Sequence, residues 1–189
     1  MESSTTPPNT NTTLLSQEAN LFELKPDTAA LHIHTTNPPA SWKNYLFNPD
    51  YYVELDQCAQ GRTRVLQSPA RDLPASYRYF YLKDEATEAV WNLSCQPLST
   101  ALENFEAIHN TSHSSYSGQY AQIESKLVGF VPVSGSREFW TVQLTNTSKQ
   151  TRKLSLSSNR APQRMARFTV MPVCSNPMPT ARRARARLP

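Results

Sequence analysis

Glycine is scarce in this chain, with four glycines against fifteen prolines in 189 residues. That excludes a glycine-rich phosphate-cradling loop and leaves most turns to Asn, Asp, Ser and Pro, whose side chains or rings fix the local backbone. No Gly-x-Ser-x-Gly is present, so Ser114-Ser115 beside His113 make no nucleophile elbow. Cysteine is also sparse. Cys58, Cys95 and Cys174 are odd in number and far apart, which excludes a zinc knuckle or thioredoxin-type pair and predicts separate thiols in a reducing compartment. No apolar run approaches the ~20 residues of a membrane span. The N-terminus lacks the basic segment and apolar run of a secretory signal, so the expected location is the cytoplasm. The sequons at Asn92, Asn110 and Asn146 are then unmodified.

Negative charge is missing from one end. From Asn159 onward there are seven arginines and no acidic residue, while residues 1–158 carry twelve basic and fifteen acidic side chains, a net charge of −3. The overall charge of +4 therefore describes the tail alone, and nucleic acid is not an expected partner of the body. The Arg, Ala and Pro of the tail fit a shifted reading frame of GC-rich DNA, a disordered arm for an acidic partner, or a linker.

What is present is β-forming. Seven Phe, eight Tyr and three Trp within 38% hydrophobic residues suffice for one β core of roughly 100–130 residues. Leu21–Leu24 and Leu31–His34 alternate in short pieces. From Trp42 onward short alternating runs recur between polar turns, and Trp140, Val142 and Leu144 oppose Thr141, Gln143 and Thr145, the signature of a half-buried strand. Tyr77–Trp91 reads as an aromatic hairpin: Arg78, Phe80 and Leu82 share one face, and Tyr77, Tyr79, Tyr81 and Lys83 share the other. Leu98–His113 accommodates either a helical turn or a strand. The fold class is all-β, an antiparallel two-sheet sandwich left incomplete, with residues 1–40 a disordered leader or linker, 41–158 the sandwich and 159–189 a disordered tail.

Few residues suggest chemistry. His109 and His113 stand four apart, and His32 and His34 share a strand face, but neither pair shows a third ligand. Asp84, Glu85 and Glu88 are expected on a solvated turn, where nothing raises a carboxyl pKa. Flat rings stack on sugars, and Tyr79, Tyr81 and Trp91 are the candidates for that contact, although most aromatics here are expected to be core. No catalytic residue, cofactor or metal site is expected.

Five ordered segments carry a resemblance. Asn44-Tyr45-Leu46-Phe47-Asn48, the hairpin Arg78…Asp84…Thr87…Trp91, Pro97 with Phe105-Glu106…His109, Phe130-Val131-Pro132, and Leu144-Thr145-Asn146-Thr147-Ser148 with Arg152…Leu154…Leu156 resemble the N-terminal β-sandwich of glycoside hydrolase family 94, the disaccharide phosphorylases. The family pattern has glycine after the hairpin threonine, where this chain has Glu88, so an altered turn is expected. The resemblance implies a parent, usually homodimeric, that phosphorolyses a β-linked disaccharide. It also implies a missing (α/α)6-barrel that carries the general acid. The chain would then be a non-catalytic fragment that meets carbohydrate through its parent. A free-standing carbohydrate-binding module and an interaction protein using the Arg-rich tail are the alternatives.

Overall fold

The computed structural model describes residues 21–73, 77–160 and 168–173. Among these described residues are fourteen strands and one short 3-10 turn at Pro26–Thr28. The strands are β1 (Phe22–Lys25), β2 (Ala30–Ile33), β3 (Asn44–Asn48), β4 (Tyr51–Leu55), β5 (Thr63–Val65), β6 (Arg71–Asp72), β7 (Arg78–Asp84), β8 (Val90–Asn92), β9 (Glu103–His109), β10 (Ser114–Tyr120), β11 (Ile123–Phe130), β12 (Phe139–Asn146), β13 (Leu154–Arg160) and β14 (Phe168–Val173). The all-β expectation holds, and residues 103–109 take the strand alternative.

Among the described residues the strands form three hydrogen-bonded sheets. One has seven strands in the order β1-β2-β9-β10-β11-β12-β14, one has three (β13-β7-β8) and one has four (β3-β4-β5-β6). Pairing is antiparallel except for β12 with β14. The two smaller sheets meet one face of the large one across a shared core. Phe80 lies 5.1 Å from Trp140, and Trp91 lies 5.2 Å from Tyr120. Tyr116 donates its hydroxyl proton to the Asp56 carbonyl at 3.0 Å. Leu82, Val53, Leu127, Trp91 and Trp140 are all fully shielded. Each such side chain contributes roughly 1.5–3 kcal/mol through removal of apolar surface from water.

Alternation dictates which residues reach that core. In β7, Arg78, Phe80, Leu82 and Asp84 are buried, while Tyr79, Tyr81 and Lys83 are half-buried. In β11, Ile123, Ser125, Leu127 and Gly129 point inward. Gly129 has a steric role: a Cβ there would lie 2.6 Å from the Trp140 ring. The indole therefore occupies the space that any larger residue would need.

Two boundaries differ from expectation. Strand order begins before Ser41, because β1 and β2 join the large sheet and Ile33 is fully buried in the core. The rings of Phe22 and Trp42 meet edge-on with centroids 4.9 Å apart. In the region read as a disordered tail, Asn159 and Arg160 complete β13 and Phe168–Val173 adds β14; positions 1–20, 161–167 and 174–189 lie outside the described residues. At the hairpin, Glu88 itself takes φ 58°, the left-handed conformation that favours glycine and costs other residues roughly 1–2 kcal/mol. The turn geometry is thus one suited to glycine, adopted here by Glu88.

The cysteines also depart from expectation. Cys58 and Cys95 form a disulfide with Cα atoms 5.7 Å apart, across a sequence separation of 37. It ties the loop after β4 to the segment after β8.

Candidate functional site

The deepest polar cluster joins all three sheets. Arg78, at the start of β7, reaches Glu138 through two parallel hydrogen bonds, Nε to Oε1 at 2.7 Å and Nη2 to Oε2 at 3.0 Å. Both side chains are 2% exposed. Nη2 also donates to the Thr63 hydroxyl of β5, and the Trp140 indole N–H donates to Glu138 Oε1 at 3.1 Å. The Arg78 backbone is held from both sides by the Gln60 amide. Burial works against the guanidinium charge, but the Glu138 carboxylate outweighs it and holds the Arg78 pKa above its ordinary value. A paired, hydrogen-bonded ion pair is the form in which buried charge persists.

The second cluster corrects the reading of the hairpin turn. Asp84 is fully buried, not solvated. Its Oδ1 accepts from the backbone N–H of Ala86 at 2.7 Å and Thr87 at 3.3 Å. Its Oδ2 accepts from Arg152 Nε at 2.6 Å and also from Nη2. The Ala86 amide first, then Arg152 and the Thr87 amide, hold the Asp84 carboxyl below the usual range. Such a group stays ionised and has no proton to donate at neutral pH. Glu85 and Glu88 remain exposed; Glu85 accepts from the Ser155 hydroxyl, and Glu88 pairs with Lys83 at 3.3 Å.

His109 belongs to a strand and to the interior, not to a loop. Its Nε2 lies 3.2 Å from the Trp42 carbonyl, and its Nδ1 lies 2.9 Å from the Ser114 hydroxyl. A carbonyl only accepts, so Nε2 carries the proton and Nδ1 accepts from Ser114. Ser114 Oγ in turn accepts from Asn44 Nδ2 at 3.0 Å, and the same Asn44 amide donates to the Asn110 carbonyl at 2.8 Å. Burial pushes the His109 pKa down to about 4, so the ring is neutral at physiological pH. His113 sits on the adjoining turn, bonded through its ring to Asn110 and Ser112. His32 Nδ1 meets Glu106 at 2.8 Å. Among the described residues no group of three or more His, Cys, Asp or Glu side chains is placed to hold a metal ion.

Of the stacking candidates, Trp91 is fully buried, which closes its ring to a surface ligand. Tyr79 and Tyr81 are half-buried on the outward face of β7. Tyr79 stacks on Tyr77 with centroids 5.0 Å apart and planes 13° apart, and Tyr81 lies 6.4 Å from Tyr79 at a tilt. The structure thus brings the tyrosines together and separates them from Trp91. On the outer face of the large sheet, a shallow hollow of about 290 Å³ is lined by polar residues including Ser117, Gln119, Glu124, Lys126 and Gln143. The Arg78–Glu138 and Asp84–Arg152 pairs escaped sequence reasoning, since 60 and 68 residues separate their partners. The available signal was a charged residue at a core-facing strand position.

A family profile described as "Glycosyl hydrolase 94, supersandwich domain" matches residues 29–160. A 3-O-beta-D-glucopyranosyl-beta-D-glucuronide phosphorylase of Paenibacillus borealis is 43% identical over 124 residues, covering 66% of this chain and 16% of that protein. An N,N'-diacetylchitobiose phosphorylase of Vibrio proteolyticus is 29% identical over 132 residues, 64% of this chain and 16% of its own length. A solabiose phosphorylase of Paenibacillus borealis is 32% identical over 134 residues, 65% and 17% respectively. The chain thus spans about a sixth of the length of the curated relatives it matches. The described hairpin, strands and buried pairs fall almost wholly inside the matched span, and the chain belongs to the supersandwich domain family of glycosyl hydrolase 94.

Proposed function

We propose that this chain is a scaffold domain without catalytic residues of its own, and that its parent transfers a glycosyl unit from a β-linked disaccharide to inorganic phosphate. One observation carries the reading. The buried ionisable groups suited to acid–base work are each engaged within the domain: Arg78 with Glu138, Asp84 with Arg152 and two turn amides, His109 with Ser114 and Trp42. A general acid must reach the leaving oxygen with a transferable proton. Asp84 is ionised and shielded, and His109 uses its proton to hold a carbonyl. The relatives, each a phosphorylase by name, support the reaction class.

On this reading the domain's partner is a helical barrel that supplies the acid and the phosphate site, within a homodimeric parent. The substrate class is a disaccharide related to those of the relatives. The test is phosphorolysis by the purified 189-residue chain. Glucosyl-glucuronide, N,N'-diacetylchitobiose and solabiose are each supplied with phosphate, and sugar 1-phosphate is measured. No product above the protein-free rate is expected; turnover that scales with chain concentration overturns the scaffold assignment.

A further inference from the structure

One strand of the large sheet is held differently from the rest. β14 pairs with β12 in parallel, from Phe168 opposite Trp140 to Val173 opposite Thr145. Every other pairing among the described strands is antiparallel. β14 ends the sheet order, so β12 is its one neighbour among the described strands. It lies beyond Arg160, where the match to the family profile stops, and follows β13, a strand of a different sheet. Pro172 adds no N–H to its ladder, and within sheets proline is confined to such edge positions.

β12, by contrast, is fixed from its other side. All eight of its residues pair with β11 in unbroken register, from Phe139 opposite Phe130 to Asn146 opposite Ile123. Trp140 and Val142 are anchored in the core, and Leu144 packs against it. The backbone groups of alternate residues in β12 then point away from β11, a row that has to be paired or solvated. We propose that this outer edge of β12 is a strand-acceptor site, filled in cis by β14 and open to an extended peptide that takes β14's place.

The acceptor strand dictates what such a peptide must be. Trp140, Val142 and Leu144 on the core side alternate with Thr141, Gln143 and Thr145 on the outer side, where Gln143 and Thr145 line the shallow polar hollow. A strand laid along this edge needs apolar residues at every second position and polar or β-branched residues between them. Main-chain hydrogen bonds supply the affinity and the alternating side chains the selectivity. The resident strand is replaceable because a single ladder holds it, and parallel ladders are slightly less stable per residue than antiparallel ones. Tethering sets the threshold for replacement. The short link from Arg160 to Phe168 gives β14 an effective concentration of about a millimolar, which a free peptide has to overcome.

The test compares the full 189-residue chain with its Thr169→Pro/Val170→Pro variant. Successive residues of a strand turn their N–H groups to alternate sides, so one of the two prolines removes a donor that faces β12. Amide exchange by NMR should show the outer-edge amides of β12 exchanging about tenfold faster in the variant, with β10 still protected. A fluorescently labelled peptide copying Phe168–Val173 should bind the variant saturably and the wild type about tenfold more weakly, because the tethered copy competes. A scrambled peptide should bind neither. The proposal is overturned by equal affinity for the two chains, by no saturable binding to the variant, or by a scrambled peptide that binds as well as the copy. Loss of β10 protection in the variant overturns it too, since β14 would then be an integral part of the fold and not a removable occupant.

Discussion

Acidification should weaken this domain chiefly through His109, well above the ordinary carboxylate range. The ring is buried, and its pKa falls from the ordinary 6.5 to about 4 because the interior disfavours the charged form. Protonation also breaks the chain of donors and acceptors, since a second N–H on the ring would face a Ser114 hydroxyl that now donates to it. The unfolded chain takes up the proton first, near pH 6.5, so acid favours the unfolded state. Stability from this group is complete above pH 6.5 and is lost as pH falls toward 4. With these two values, linkage gives a loss of about 2 kcal/mol between pH 7.5 and 5, and about 3 kcal/mol by pH 4. Asp84 adds to acid sensitivity only below the ordinary carboxylate range, because its pKa is depressed. Asp56, whose pKa burial raises, acts in the opposite direction, and His113 in the same direction as His109. Urea denaturation of the wild-type chain and of His109→Gln across this range isolates the term by subtraction. The wild type should lose stability more steeply than the variant by about 1.2 kcal/mol per pH unit midway through the window. Parallel profiles for the two proteins would refute a buried neutral His109.

Two further outcomes are expected. Glu138→Gln should cost about 3–5 kcal/mol by leaving Arg78 charged and without its carboxylate in the core, and Arg78→Met in that background should recover part of the loss; chemical denaturation of the two singles and the double checks this, and strictly additive costs would argue against a coupled pair. Cys58→Ser should cost about 4 kcal/mol under oxidising conditions, the chain-entropy value for a loop of about this length, and thiol titration of the unreduced, unfolded wild type should find Cys174 alone free.

Much of the fold was legible in the residues. Period-two alternation located β7 and β12 because a strand turns successive side chains to opposite faces whatever else surrounds it. The same pattern in residues 21–34 marked β1 and β2, but composition around them suggested a leader, and only pairing of β2 with β9 shows that they belong to the large sheet. The polar residues were harder. Asp84 sits in a run of small and acidic residues that reads as a solvated turn, yet it is the last of the seven residues of β7 and lies on the strand face whose members are all buried. His109 and His113 looked alike in sequence and differ by a strand end: one points into the core, the other rides on the turn.

What the chain determines by itself is local: strand periodicity, the hairpin of Tyr77–Trp91, the absence of nucleophile and phosphate motifs, and the ordered segments shared with its family. These depend on residues a few positions apart, where backbone geometry decides. Tertiary structure alone decided which charges are paired, which cysteines are joined, and which aromatics face water. Arg78 finds Glu138 only when separate sheets close over a common core, and Asp84 finds Arg152 only when β13 pairs with β7. The same closure buries Trp91 and leaves Tyr45 and Phe47 outside. No local pattern specifies that outcome, because burial is a property of the layers a strand ends up between.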